Sequence, residues 1–318
     1  MDFQEALDFL LAGDDLTLTT HVNADGDGLG ALLGLSHWLE QQGRAHRIVI
    51  TDDAPETKFR FMPGFERIES LNALTDRSPV PRLVVVDTPT MSSKRIGDVA
   101  DLIGPATKTL IIDHHVGEDD EGDVRVIDSD ASAASEQIYL LICASETPLT
   151  PEAATCLYAG IAFDTKLFKY SHPERALIAA ANLAEQGADP QQIAEDLFSH
   201  QTYETVKTLG FALSNMALHA DGQVSTLYVD HQTYLMDGDL DVVVDHAMSI
   251  DGVEVALFFK EQAPGQQRIS LRSRGKVDVN RVARQFDGGG HVRASGCSID
   301  SSVEEAQERL LAVVREQL

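Results

Sequence analysis

An aspartate and two adjacent histidines close the apolar run Ile111-Ile112-Asp113-His114-His115, and three other segments of the 318-residue chain end in a similar way. His21-Val22-Asn23-Ala24-Asp25-Gly26-Asp27 follows Leu16-Thr17-Leu18-Thr19-Thr20. Asp87 ends Leu83-Val84-Val85-Val86, and Asp164 ends Gly160-Ile161-Ala162-Phe163. Each stop taken singly reads as an element turning polar at the surface. Four together read as a ligand set, because carboxylate oxygens and imidazole nitrogens suit a hard-to-borderline divalent ion such as Mn²⁺. Asp25 and Asp27 are one residue apart, and Gly26, Gly28 and Gly30 permit a tight turn that faces both carboxylates into one pocket. His21 precedes Asp25 by four residues, within reach of the same ion. Two divalent ions about 3.5–4 Å apart, sharing a carboxylate, acidify a water and clamp both oxygens of an in-line displacement at phosphorus. That chemistry is phosphate-ester hydrolysis.

A second group lies near the C-terminus. Between Gln266 and Gly296 seven basic residues (Arg268, Arg272, Arg274, Lys276, Arg281, Arg284, Arg293) face two acids, Asp278 and Asp287. On a strand, Arg268, Ser270, Arg272 and Arg274 share one face, opposite Ile269 and Leu271. Such a row of guanidinium forks and a hydroxyl suits phosphate. Gly288-Gly289-Gly290 would let backbone amides approach a phosphate or a base, with His291 as a donor beside them. The plainer alternative is a glycine-rich turn under a solvated basic edge. The scattered histidines His37, His46, His172, His200, His219, His231 and His246 read as structural or solvent-facing, and Asp119-Asp120-Glu121 as a solvated loop.

These residues must be positioned by ordered elements. Leu16–Thr20, Arg47–Ile50, Leu83–Val86 and Thr109–Ile112 are short, β-branched and nearly continuously apolar, as parallel strands covered on both faces are. Between and after them come amphipathic stretches: Leu29–Gln42, ending at Gly43, then Ser132–Ala144, Pro151–Phe163 and Glu174–Gln186. The expected fold is α/β, a mainly parallel sheet flanked by helices, whose ligands bind beyond the carboxyl ends of the strands. Polar helical stretches from Asp189-Pro190 to Phe198, and from Thr202 to about Leu218, form a helical connector. Strands at Val224–Val229, Val253–Lys260 and Arg268–Arg274, with helices at Val279–Phe286 and Val303–Gln317, make a smaller α+β domain. The divisions are 1–190, 191–218 and 219–318.

Composition narrows the partners. The formal net charge of −26 argues against a general nucleic-acid coat and against duplex DNA, since such affinity comes from Lys and Arg on phosphates. Only 8 of the 25 basic residues are Lys, which fits a solubilising acidic surface. No apolar run approaches the ~20 residues of a membrane span. Met1-Asp2-Phe3-Gln4-Glu5 lacks the basic start of a secretory signal. Cys143, Cys156 and Cys297 are odd in number and far apart, as reduced thiols of a cytoplasmic protein are.

The order His21-x₃-Asp25-x-Asp27, Asp87, Asp113-His114-His115 and Asp164-Thr165 resembles the four motifs of the Asp-His-His phosphoesterase superfamily. Gly288-Gly289-Gly290-His291-Val292-Arg293-Ala294-Ser295-Gly296 resembles the hallmark of its C-terminal substrate-binding domain, DHHA1. Size and architecture most resemble the stand-alone branch of oligoribonucleases and 3′-phosphoadenosine-5′-phosphate phosphatases, which also includes cyclic-dinucleotide phosphodiesterases. The resemblance implies a first ion on His21, Asp25 and Asp87, and a second on Asp27, Asp87, His114 and Asp164, with Asp87 as the bridge. It implies Mn²⁺, with Mg²⁺ or Co²⁺ as substitutes. Asp113 would orient a ligating histidine, and His115 would point at the substrate phosphate or the attacking water. No role is placed on Lys166. The implied substrates are short RNA, a dinucleotide or a mononucleotide bisphosphate, cleaved to nucleoside 5′-monophosphates. Cyclic dinucleotides, or a catalytically silent nucleotide sensor, are the alternatives, and a homodimer is left open.

Overall fold

The computed structural model describes residues 3–13, 15–115, 121–169, 173–199, 202–236 and 241–318. The chain divides into two compact units, residues 1–200 and 201–318.

In the first unit β1 (Leu16–Thr19), β2 (His46–Ile50), β3 (Ile68–Ser70), β4 (Arg82–Val86), β5 (Lys108–Asp113) and β6 (Val124–Ile127) form one sheet. Its order is β3-β2-β1-β4-β5-β6 and every pair is parallel. The helices are α1 (Gln4–Leu11), α2 (Gly26–Gln41), α3 (Ser93–Ile96), α4 (Ala134–Ala144), α5 (Pro151–Asp164), α6 (Pro173–Glu185) and α7 (Pro190–Phe198). The near-continuous apolar strands are explained by burial on both faces. Val84, Val86, Leu110 and Ile112 pack with Leu32, Trp38, Ile138 and Leu157 of α2, α4 and α5. Leu83, Val85 and Ile111 enter a separate core with Ile96, Val99 and Leu102.

β1 and β4 are neighbours, yet β1 continues to β2 on one side and β4 to β5 on the other. Connections that diverge in this way open a crevice at the carboxyl ends of the two strands. β3 and β6 carry no apolar signature (Ile68-Glu69-Ser70; Val124-Arg125-Val126-Ile127), because edge strands are half-exposed and need none.

The second unit contains α8 (Tyr203–Ser214), β7 (Ala217–His219), β8 (Val224–Val229), α9 (His231–Tyr234), α10 (Asp241–Met248) and β9 (Val255–Ala263). It continues with β10 (Gln266–Ser273), α11 (Val279–Arg284), β11 (Gly289–Gly290), β12 (Ala294–Asp300) and α12 (Val303–Arg315). The sheet runs β11-β12-β10-β9-β8-β7, antiparallel except for the parallel pair β8–β9. The fold class is therefore α/β followed by a smaller α+β unit, as the alternation of apolar runs predicts.

Three elements differ from expectation. The helix expected to reach Leu218 stops at Ser214, and Ala217–His219 instead pairs with β8 through a turn whose Ala220, Asp221 and Gly222 all have positive φ. α10 supplies the crossover that a parallel β8–β9 pair requires, although Val242-Val243-Val244 is β-branched and carries no helical signature. β12, rich in Ser, Gly and Ala, is specified by pairing with β10, with Ile269 opposite Cys297. Among the described residues no helix is long and apolar enough to cross a membrane. Cys143, Cys156 and Cys297 are free thiols. Met1, Asp2, Asp119, Asp120, His172 and His200 lie outside the described residues.

Candidate active site

The loop after β1 is shaped by its neighbours. Val22 N–H donates to the Arg95 carbonyl at 2.7 Å, and Asn23 and Ala24 N–H donate to the Asp52 carboxylate, each at 3.0 Å. Asn23 takes a left-handed φ of 56°, which Asn tolerates. Asp25 then caps α2, its Oδ1 accepting from Asp27 and Gly28 N–H. Asp27, one residue into the helix, is buried and held from across the core: Ala134 N–H donates to it at 2.6 Å and Ser135 N–H at 2.9 Å. These two amides open α4, so the positive end of that helix faces the Asp27 carboxylate. Glu136 secures the same turn by accepting Ser132 N–H at 2.9 Å while pairing with Arg175 at 2.8 Å.

The four sequence clusters meet at the carboxyl ends of β1, β4 and β5. His21 Nε2 lies 3.3 Å from Asp87 Oδ2 and 3.8 Å from Asp25 Oδ1. His114 Nε2 lies 3.4 Å from Asp87 Oδ1 and 3.8 Å from both Asp27 Oδ2 and Asp164 Oδ2. Three overlapping sets, His21/Asp25/Asp87, Asp27/His114/Asp164 and Asp87/Asp113/His114/His115, each have their donor atoms within 4.8 Å of one another. This cluster could hold divalent metal ions. Asp87 belongs to two of the sets and takes a left-handed φ of 60°.

Two details fit a metal. Asp87 Oδ1 is buried and faces the His114 and His115 rings at 3.4 and 3.8 Å, beyond good hydrogen-bond range, so it has room to accept a ligand. His21 Nδ1 lies 2.9 Å from the Val22 carbonyl and His114 Nδ1 lies 3.4 Å from that of Ala131. Each ring therefore donates from Nδ1 to main chain and turns Nε2 to the cluster, which is how protein orients a ligating imidazole.

The electrostatics follow from crowding. Burial alone would lower the His21 pKa, but the Asp25 and Asp87 carboxylates outweigh it and push it up to about 11. Burial likewise opposes charge on His114, and Asp87 and Asp164 raise it well above the usual range. Burial would raise Asp87, yet His114 and His21 hold its carboxyl far below the ordinary value. Burial, with the neighbouring Asp87 and Asp164 charges, raises Asp27, and burial pushes Asp164 up to about 6.

Asp113 is fully buried and its Oδ1 lies 2.8 Å from His115 Nδ1. The histidine it orients is thus His115, while His114 is oriented by the Ala131 carbonyl. Gln137 donates from Nε2 to the Asp113 carbonyl, fixing the end of β5 on α4. Asp52, Ser135, Gln137 and Gly160 were not singled out by sequence. Gly160 is required, since a Cβ there would lie 2.0 Å from Ser135 Oγ. Their signal is long-range packing, invisible in local pattern.

In the second unit β10 alternates as expected: Ile269, Leu271 and Ser273 are buried, Arg268 is exposed, and Ser270 and Arg272 are half-buried. Arg268 reaches Ser298 Oγ at 3.4 Å, and Arg272 donates to the Leu271 carbonyl at 3.2 Å. Arg274 differs. Its guanidinium donates to the Val253 and Met248 carbonyls, both at 2.7 Å, and so caps α10. Gly288 and Gly290 have structural reasons: a Cβ at either would strike β12, 2.2 Å from the Gly296 carbonyl and 2.5 Å from that of Ala294. Gly289 is exposed and a Cβ there would meet nothing within 4 Å, while its backbone pairs opposite Gly296 of β12. His291 N–H donates to the Ala294 carbonyl at 2.7 Å, making a tight turn that presents Val292 and Arg293. Of the other histidines, His37 and His46 hydrogen-bond the Pro63 carbonyl and Ser36, and His219 and His231 hydrogen-bond Thr226 and Glu261.

Asp and His donors converge at the switch point of the parallel sheet, where they could hold divalent metal ions. The DHH family, N-terminal domain, matches residues 15–161, and the DHHA1 domain matches residues 221–318. The chain belongs to the DHH family, with a DHHA1 domain following the catalytic one. It is 30% identical to the bifunctional oligoribonuclease and PAP phosphatase NrnA of Bacillus subtilis, over 94% of this chain and 93% of that protein. It is 29% identical to the probable enzyme of that name from Streptococcus mutans, over 95% of each. An exopolyphosphatase-related protein from Bacteroides fragilis superposes with a TM-score of 0.89 at 25% identity, covering 99% of this chain and 95% of that one.

Proposed function

We propose that this protein is a two-metal phosphoesterase, acting in the cytoplasm, that cleaves the P–O3′ bond of short oligoribonucleotides, linear dinucleotides and 3′-phosphoadenosine-5′-phosphate. The products are nucleoside 5′-monophosphates. The observation that carries the reading is Asp87, whose bare Oδ1 sits among the imidazoles of His114 and His115 while Oδ2 faces His21. The activities named for the similar Bacillus and Streptococcus proteins support it. His21, Asp25 and Asp87 would hold one ion, and Asp27, Asp87, His114 and Asp164 the other, with Mn²⁺ the ion of choice for mixed nitrogen and oxygen donors. When bound, the pair supplies an acidified water and positive charge opposite the charge developing at phosphorus.

The chain's own residues do the rest. α4 and its amides keep Asp27 in place, and main-chain carbonyls keep His21 and His114 in the ligating tautomer. Asp113 holds the Nδ1 proton of His115, which directs Nε2 to exchange a proton with the phosphate or the attacking water. Arg268, Ser270, Arg272, Gly289, His291 and Arg293 bind the phosphate or base that is not cleaved.

Loading the site must expel protons. His21, with its pKa pushed up to about 11, is charged at neutral pH, and the Asp87 and Asp164 carboxylates shift His114 in the same direction. Apparent Mn²⁺ affinity is therefore expected to rise with pH, about tenfold per unit for each proton displaced. Calorimetry in two buffers of different ionisation enthalpy counts those protons. Binding with no proton release would remove His21 and His114 from the ligand set.

The functional test is a Mn²⁺ turnover panel. The acidic bulk repels long polyanions, and the net positive charge is confined to about thirty residues around β10 and the glycine triplet. kcat/KM is expected to fall as RNA lengthens from two residues to about ten, with duplex DNA inert. The effect should fade at 1 M salt, where the Debye length is ~3 Å. A rate rising steadily with length would indicate an extended channel and overturn the short-substrate assignment. Turnover of cyclic dinucleotides alone would establish that alternative, and no hydrolysis of any of them would leave a sensor.

A further inference from the structure

We propose that Lys166 sets the preference of this centre for a terminal phosphate monoester over a phosphodiester. The inference rests on the phosphoesterase reading above. α5 ends on Asp164, and the chain then reverses through Lys166, Leu167 and Phe168 at φ 48°, 54° and 65°. Three successive non-glycine residues in the left-handed region are unusual, because each Cβ crowds a carbonyl there. The turn is built to hold this shape. Buried Thr165 donates from Oγ1 to the Ile161 carbonyl at 2.6 Å and accepts Phe168 N–H at 3.0 Å. Lys166 and Leu167 N–H donate to the Phe163 and Ala162 carbonyls at 3.1 and 2.8 Å, and Lys169 N–H to the Thr165 carbonyl at 2.9 Å.

The strained turn delivers one group. Lys166 Nζ sits 4.3 Å from the centroid of the Phe163 ring. That ring packs on Gly26, where any Cβ would lie 2.5 Å from Phe163 Cγ. Gly26 separates Asp25 from Asp27, so the ring is in contact with the backbone between two of the cluster's carboxylates, and the ammonium rests on that ring two residues beyond Asp164. Lys58 approaches the same ring at 5.6 Å, but its Nζ is 2.8 Å from Glu56 Oε2 and its charge is met locally. Lys166 makes no ion pair among the described residues. An ammonium held on an aromatic ring that packs on this backbone is placed for an incoming anion.

The class of anion follows from charge. A terminal monoester carries about two negative charges near neutral pH, whereas a diester carries one. The metal ligands serve either, so a further cation at the rim attracts the second charge and tilts selectivity toward the monoester. Partial exclusion of water strengthens that attraction.

3′-Phosphoadenosine-5′-phosphate and the 5′-phosphorylated adenosine dinucleotide share the adenosine and the 5′-phosphate and differ at the bond cleaved, so their kcat/KM ratio isolates the effect. Lys166→Met is expected to lower that ratio about tenfold, and Lys166→Arg to keep it near wild type. Lys166→Gly should lower it as much with a Tm no lower than wild type, since glycine takes the left-handed turn without strain. A ratio unchanged within about twofold in the Met and Gly variants would overturn the proposal, whatever the absolute rates. Equal losses on both substrates with a falling Tm would make Lys166 structural and overturn it too. A wild-type protein inert on both substrates with Mn²⁺ would instead remove the phosphoesterase reading, and this inference with it.

Discussion

Asp87→Asn is expected to reduce kcat/KM by about 10³-fold or more, with the fold retained. Asp87 is the carboxylate common to the sets around His21 and around His114 and His115, and among the described residues no other carboxylate joins both sets. Asparagine keeps the shape and tolerates the φ of 60° at this position, so the loss is chemical. Asp87→Ala adds about 1–2 kcal/mol of left-handed strain to the same chemical defect. With the anion gone, His21 keeps Asp25 and His114 keeps Asp164 and Asp27 as acidic neighbours, so both lose only part of what raises their pKa. Neither ring is left as an unopposed buried charge, which is why the protein should still fold. Metal content, a thermal melt and turnover on a dinucleotide check the three statements separately. Full activity in Asp87→Asn, or in chelated protein, would sink the two-metal mechanism.

Arg272→Ala is expected to raise KM for a 5′-phosphorylated dinucleotide by about ten- to a hundredfold, the equivalent of a lost charge-assisted hydrogen bond of roughly 1.5–3 kcal/mol. Bis-p-nitrophenyl phosphate, which has no remote phosphate, should suffer much less. Arg272 is half-buried on the face shared with Arg268 and Ser270, and its one recorded hydrogen bond, to its neighbour's carbonyl, is long at 3.2 Å. Its guanidinium is therefore available in a way that Arg274, committed to two carbonyls at 2.7 Å, is not. Equal losses on both substrates would place Arg272 in the fold or the metal centre.

The legibility of this protein was uneven for physical reasons. Strands covered on both faces must be continuously apolar, so β1, β4 and β5 announced themselves, and the polar residues that stop them marked the functional end of the sheet. Edge strands β3 and β6, the Ser/Gly-rich β12 and the β-branched helix α10 left no such trace. Their conformation is settled by pairing with neighbours or by the crossover that parallel strands demand. The basic face of β10 was readable from the period of two, whereas the diversion of Arg274 to cap α10 was not. A guanidinium looks the same in sequence whether it meets phosphate or a helix end.

By itself the sequence singled out the side chains proposed to carry the chemistry, because only Asp and His among these residues can hold such ions and because they fall where apolar runs must end. Tertiary structure decided how each is used. Asp27 is held by Ser135, 108 residues away, and Gln137 reaches back 24 residues to Asp113. Asp113 serves His115 while Ala131 serves His114, a choice between adjacent rings that spacing alone leaves open. The left-handed turn that seats Lys166 on Phe163 depends on Gly26 leaving room for the ring. Local periodicity records which face a residue shares with its near neighbours. Tautomer, capping and close approach are set by atoms that meet only when distant segments pack.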